Sequence, residues 1–143
     1  MATMISKHFD LREFVTPEAY AAFGDNAIWL IDHRLVDVVE ALREHFQAPI
    51  IINNWHTGGQ YHESGLRNFD TATGAKYSQH KYGRAADLKI AGVDPETARK
   101  EIRTWFGSFN VLGLTTIELG TPSWVHVDCR NTGLTTLLEV PFQ

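Results

Sequence analysis

Cysteine is nearly absent. The one thiol in 143 residues, Cys129, cannot form an internal disulfide, so no cross-linked framework holds this chain together. Long apolar runs are missing too: stretches such as Pro49 to Ile52 are far too short to span a bilayer, and no membrane role is expected. Nor is there a surplus of positive charge. Lys and Arg number 13 against 17 Asp and Glu, for a net charge of −4, and no long basic stripe is present. Nucleic acid is therefore not an expected partner. Met1 to His8 shows no apolar signal core and no cleavage pattern, which predicts synthesis in the cytoplasm without Sec-type export. Repeats, low-complexity tracts and linkers are lacking as well. What remains is a globular composition, 43% hydrophobic and 21% charged, at a length that fits one domain over 1–143. Seven histidines in so small a chain prompt a search for a metal site.

Helix signals gather early. Thr16-Pro17-Glu18 is a helix start, with Thr as cap, Pro in the first position and an acid in the first turn; Gly24 ends that helix after Phe23. Ile31, Leu35, Val38, Val39, Leu42 and Phe46 recur at a helical period and predict one helix over roughly 27–46. Pro49 to Asn53 is a short β-branched run that predicts a buried strand. Residues 54–80 are glycine-rich, polar and aromatic with no clean period, and an irregular stretch of that length in a small domain is often functional. A strand is predicted over Arg84 to Ile90. A helix opening at Asp94-Pro95 follows, with apolar positions at Ala98, Ile102, Trp105 and Phe106. Three closing strands are predicted near 114–119, 123–129 and 135–140 and taken as antiparallel, which gives an α+β fold.

The chemistry concentrates in two segments. In Ser78-Gln79-His80-Lys81-Tyr82-Gly83-Arg84-Ala85-Ala86-Asp87, a loop histidine is followed by a sharp turn and an aspartate on the next strand. In Trp124-Val125-His126-Val127-Asp128, alternation puts Trp124, His126 and Asp128 on one face and the valines on the other. If both strands share a sheet, Asp87 and His126 project from the same side and His80 completes a set of two His and one carboxylate. That donor set, with an open position, is the arrangement of catalytic zinc. His8, His33, His45, His56 and His62 are read as surface or packing residues.

Ser78-x-His80-x-x-Gly83-x-Ala85-x-Asp87 followed by Trp-Val-His126-Val-Asp128 resembles the zinc D-Ala-D-Ala carboxypeptidase and L-alanyl-D-glutamate endopeptidase family. That family shares its fold with the hedgehog signalling domain. Ser64-Gly65-Leu66-Arg67 is similar to the family's Ser-Gly-Tyr-Arg segment, with Leu in place of Tyr, and the resemblance covers roughly residues 35–130. It implies a small antiparallel sheet with helices packed on one face. It also implies Zn2+ held by His80, Asp87 and His126. Arg67 would bind a substrate carboxylate or carbonyl, serving substrate and not metal, and Ser78 would support the site by hydrogen bonding on the substrate side.

Many relatives carry a catalytic Glu three residues before the last ligand; here that position is Ser123, and the hedgehog-like position, six before, is Gly120. Glu118 and Asp128 are the remaining carboxylates for the general base. Glu118 stands across the Thr121-Pro122 turn from His126, and Asp128 shares its face with His126, a placement that also suits orienting a ligand histidine. The resulting expectation is metal-assisted hydrolysis of an amide in a peptidoglycan peptide, with Trp55, Tyr61, Phe69, Tyr77 and Tyr82 walling the cleft. The missing signal pattern fits a phage-type lysin or a virion-borne part with other particle proteins as partners. The alternative, favoured by Ser123, is a non-enzymatic structural or binding protein that retains the fold.

Overall fold

Thr16, Asp32 and Asp94 each open a helix by accepting a backbone N–H that would otherwise lack a partner. In the computed structural model, which describes residues 3–142, they cap α1 (Pro17–Phe23), α2 (His33–Phe46) and α3 (Pro95–Thr104). A short α4 (Phe106–Asn110) follows a break at Trp105. Among the described residues no helix is long and apolar enough to cross a membrane.

The predicted helix over 27–46 is divided. Gly24–Leu30 form a 3-10 helix, Ile31 is extended, and α2 begins only at His33. Asp32 causes the break: its side chain caps α2 from an extended backbone at ψ 124°, and its N–H donates to Gly83 O at 3.0 Å. The 3-10 turn still buries Ala27, so the apolar spacing runs through the break without marking it.

Five strands form one sheet: β1 (Ile50–Ile51), β2 (Ala85–Ile90), β3 (Thr116–Leu119), β4 (Val125–Asp128) and β5 (Leu138–Pro141), in the order β1-β2-β4-β3-β5. The first three pairings are antiparallel, as expected, but β5 runs parallel to β3. The reason is the direction of return. The chain leaving β4 runs back against it and joins at the outer edge of β3, and since β3 is itself antiparallel to β4, the two lie parallel.

Alternation then divides the sheet by chemistry. Ala86, Leu88, Ile117, Val125 and Val127 join Leu35, Val39, Leu42, Ala98 and Ile102 in one apolar core, which places the helices on that face. The opposite face carries Asp87, Lys89, His126 and Asp128 and is covered by the irregular 54–80 segment. Two polar side chains, the buried Asn53 and the half-buried Lys89, pin that segment. The Asn53 amide donates to Val15 O at 3.0 Å and accepts from Ser64 N at 2.9 Å. Lys89 Nζ donates to Ile52 O at 2.6 Å and Ser64 Oγ at 3.0 Å and lies 4.0 Å over the Tyr61 ring. Burial pushes the Lys89 ammonium down to about 8.

Gly83 closes the turn before β2 in the left-handed region, at φ 69°, and a Cβ there would lie 2.0 Å from Leu30 O. Left-handed backbone alone costs an L-residue about 1–2 kcal/mol. Gly83→Ala, which adds the collision to that strain, is expected to lower stability by about 2 kcal/mol or more, read as a lower urea midpoint at unchanged slope. An unchanged midpoint would show that the turn relaxes freely.

Candidate metal centre

Register brings the two strands of interest together. Asp87 pairs with His126 across β2 and β4, on the face away from the core. His80 arrives from the 3-10 turn Gln79–Tyr82, which Ser78 opens by accepting the His80 N–H at 3.2 Å. All three side chains are buried. His80 Nε2 lies 3.3 Å and His126 Nδ1 3.0 Å from the same oxygen, Asp87 Oδ1.

The second ring nitrogen of each histidine is engaged elsewhere. His80 Nδ1 donates to Gly65 O at 2.8 Å, and His126 Nε2 donates to Asp128 Oδ2 at 2.8 Å. These acceptors fix the ring orientations and leave Nε2 of His80, Nδ1 of His126 and Oδ1 of Asp87 converging. Donor atoms around a tetrahedral ion with bonds of about 2.0–2.2 Å stand about 3.3–3.6 Å apart, and the three donors here lie within 4.8 Å of one another, so the set could hold a divalent metal. Burial disfavours the charged His126 ring, but hydrogen bonds to Asp128 and Asp87 outweigh it and hold its pKa up to about 9. Burial dominates at His80 and pushes its pKa down. Burial opposes the Asp87 charge too, yet the two histidines keep it well below the usual carboxylate range.

The Ser64-Gly65-Leu66-Arg67 segment builds the wall behind this trio. Ser64 O accepts from Asp87 N at 2.7 Å, and Arg67 N donates to His80 O at 3.0 Å, so one tetrapeptide ties together the elements that carry His80 and Asp87. Gly65 must be glycine for reasons of space: a Cβ would lie 2.5 Å from Phe14 O. Leu66, where the family pattern has Tyr, is buried in the core. Arg67 donates through Nε to Glu63 O at 3.1 Å and through Nη2 to Asp87 Oδ2 at 3.3 Å. Arg67 thus holds the second oxygen of the candidate ligand carboxylate, and it also lines the cleft.

Both candidate bases stand at the trio, at opposite sides of His126. Thr116 pairs with Asp128 and Ile117 with Val127, so the next residue, Glu118, faces the ligand side. Its Oε1 lies 3.5 Å from His126 Nδ1, the converging nitrogen, and its side chain keeps 24% exposure. Asp128 is fully buried on the other ring edge, where Arg130 donates to both of its oxygens, at 2.9 and 2.6 Å. Burial works against the Asp128 charge, but His126 and Arg130 hold its pKa down to about 2.

An open cleft of about 1190 Å³ lies over the trio. Tyr61 and Tyr77 line it, as do Ser78, Arg67, Glu118 and Ser123. Trp55, Phe69 and Tyr82 do not: Trp55 donates to Val15 O at 2.9 Å and packs on Tyr20, while Phe69 and Tyr82 pack on each other. The opposite wall comes from Trp124 and Phe142, whose rings meet edge to face at 5.2 Å. Arg130 and Lys89 also reach the cleft and were not singled out from the sequence. For Arg130 the signal existed, since the alternation of His126 and Asp128 continues to it. Of the remaining histidines, His8 pairs with Glu40 and His45 with Glu101, in keeping with surface roles, whereas His62 lines the cleft.

No curated protein and no solved structure matches the chain. Residues 7–128 match the family model described as Peptidase M15, a span that contains His80, Asp87, Glu118, His126 and Asp128. With that match over most of its length and a buried His-Asp-His donor set in place, the chain belongs to the metal-dependent peptidase M15 family.

Proposed function

We propose that this protein is a zinc peptidase that hydrolyses an amide bond in peptidoglycan stem or cross-link peptides, as a phage-type lysin or a wall-degrading part of a virion. The observation that carries the reading is the converging, tautomer-fixed set of His80 Nε2, Asp87 Oδ1 and His126 Nδ1 at the floor of an open cleft. Two imidazoles and one carboxylate suit zinc, and a closed structural site would not need the cleft. Zinc bound there supplies Lewis acidity, polarising the scissile carbonyl and acidifying water near neutral pH.

The chain supplies the rest. Glu118, beside His126 Nδ1 and partly exposed, accepts the proton of the attacking water and returns it to the leaving amine. Asp128 and Arg130 hold the His126 ring from behind. Arg67 fixes Asp87 and presents its guanidinium to the cleft, where it orients the peptide. Digestion of purified peptidoglycan by the zinc-loaded protein, with fragment masses read out, tests the reading. New amine and carboxyl termini in stem or cross-link peptides are expected. Stoichiometric zinc with no fragment released would favour a non-enzymatic protein that retains the fold.

Arg67→Lys keeps the charge but cannot span Glu63 O and Asp87 Oδ2 together. Loss of one charge-assisted hydrogen bond, about 1.5–3 kcal/mol, corresponds to a fall in kcat/KM of about tenfold or more. Unchanged kinetics would place Arg67 outside substrate handling.

A further inference from the structure

Two guanidinium groups flank the trio. Arg67 meets Asp87 on the Nδ1 side of the His126 ring, and Arg130 meets Asp128 on the Nε2 side. They come from different parts of the chain, one on the 54–80 segment and the other just beyond β4, and both line the cleft. Arg130 spends Nε and Nη2 on Asp128, at 2.9 and 2.6 Å. Its Nη1 has no acceptor among the described residues, its side chain keeps 28% exposure, and it lines the cleft. A guanidinium that needed only to neutralise Asp128 would be complete with the two-point contact. Here the planar fork is fixed by Asp128 while Nη1 stays unpaired on a side chain that lines the cleft, which leaves a donor for a planar anion.

Resting on the peptidase reading above, we propose that Arg130 is a specificity-determining residue: through Nη1 it binds a free carboxylate of the substrate peptide, on the side of His126 opposite Arg67. The preferred substrate is accordingly an acidic peptide with a free carboxylate near the scissile amide. Because Asp128 already holds the guanidinium, the anion meets a donor whose rotamer freedom has been removed on folding.

The test uses one synthetic stem peptide in two forms, with carboxylates free and with carboxylates amidated. Binding to the metal-free protein is followed by tryptophan fluorescence, and kcat/KM is measured on the zinc-loaded protein with zinc content determined in parallel. The wild type is expected to prefer the free acid by about tenfold or more in both measurements, the scale of one charge-assisted hydrogen bond. Arg130→Gln is expected to erase that preference, mainly through KM, and Arg130→Lys to restore part of it. An acid-to-amide ratio that is the same in wild type and Arg130→Gln overturns the proposal. So does an equal loss on both peptides with falling zinc content, which would reduce Arg130 to a support for Asp128. If the wild type cuts these peptides without preference, the Arg130 assignment falls while the peptidase reading stands. If the wild type neither binds nor cuts either form, both fall.

Discussion

Replacing His126 with alanine is expected to empty the metal centre and to abolish hydrolysis, with a loss of about a thousandfold or more. The argument begins with geometry. His126 is the middle of a chain of contacts that runs from Arg67 through Asp87, His126 and Asp128 to Arg130. Its removal takes away one of three donors and leaves Asp128 buried with Arg130 as its one charged partner among the described residues. A three-donor site that loses a nitrogen loses most of its affinity, and Lewis-acid stabilisation of the reaction is worth several kcal/mol. At about 1.4 kcal/mol per tenfold, that is three orders of magnitude or more. Stability should follow. Added zinc is expected to raise the melting temperature of the wild type, because the metal binds the folded state, and to leave that of His126→Ala unmoved. Metal content per chain and the zinc-dependent melting shift check this together. Full zinc occupancy in His126→Ala would remove His126 from the ligand set.

Much of this centre was legible in the sequence because two strands sort their residues by period. In β2 and β4 every second residue is Ala, Leu, Ile or Val, and the intervening positions, after an opening Ala85, hold Asp, Lys, His and Asp. A period of 2 is a statement about faces, so Asp87 and His126 could be placed on one side before any pairing was known. Ser78 and Gly83 were legible for a different reason: a capping hydroxyl and a left-handed turn demand particular residues. What could not be read is what depends on partners far away in the chain. Lys89 looks like an ordinary polar strand residue until Ile52 and Ser64 are brought to its ammonium. The aromatic residues of the 54–80 segment share one composition, and only packing separates Tyr61 and Tyr77, in the cleft, from Trp55, Phe69 and Tyr82. The parallel placement of β5 follows from a return against β4 onto the far side of β3, a property of the assembled fold that no local pattern carries.

Glu118→Gln and Asp128→Asn are expected to fail in different ways, and the difference assigns the base. The position three residues before His126 holds Ser123, and a serine hydroxyl is no base at neutral pH. The structure offers two carboxylates instead, and they meet opposite edges of one imidazole. Glu118 stands at Nδ1, the edge that faces His80 and Asp87, and it lines the cleft. Asp128 stands at Nε2, is buried, and is closed off by Arg130. A base must reach the attacking water within a hydrogen bond, and only the first carboxylate is on that side. A carboxylate behind a ligand histidine instead fixes its tautomer and raises its donor strength. Glu118→Gln preserves shape and hydrogen bonding but cannot take a proton. It should keep zinc and fold while losing about 100-fold or more in kcat, the range of a lost general base. Asp128→Asn should weaken zinc affinity by about 10- to 100-fold. Its turnover should recover in part when zinc is raised, because the base is intact. Metal titration and kcat at saturating zinc, measured on both variants, separate the two roles. Full activity in Glu118→Gln, with Asp128→Asn dead although zinc is bound, would exchange them.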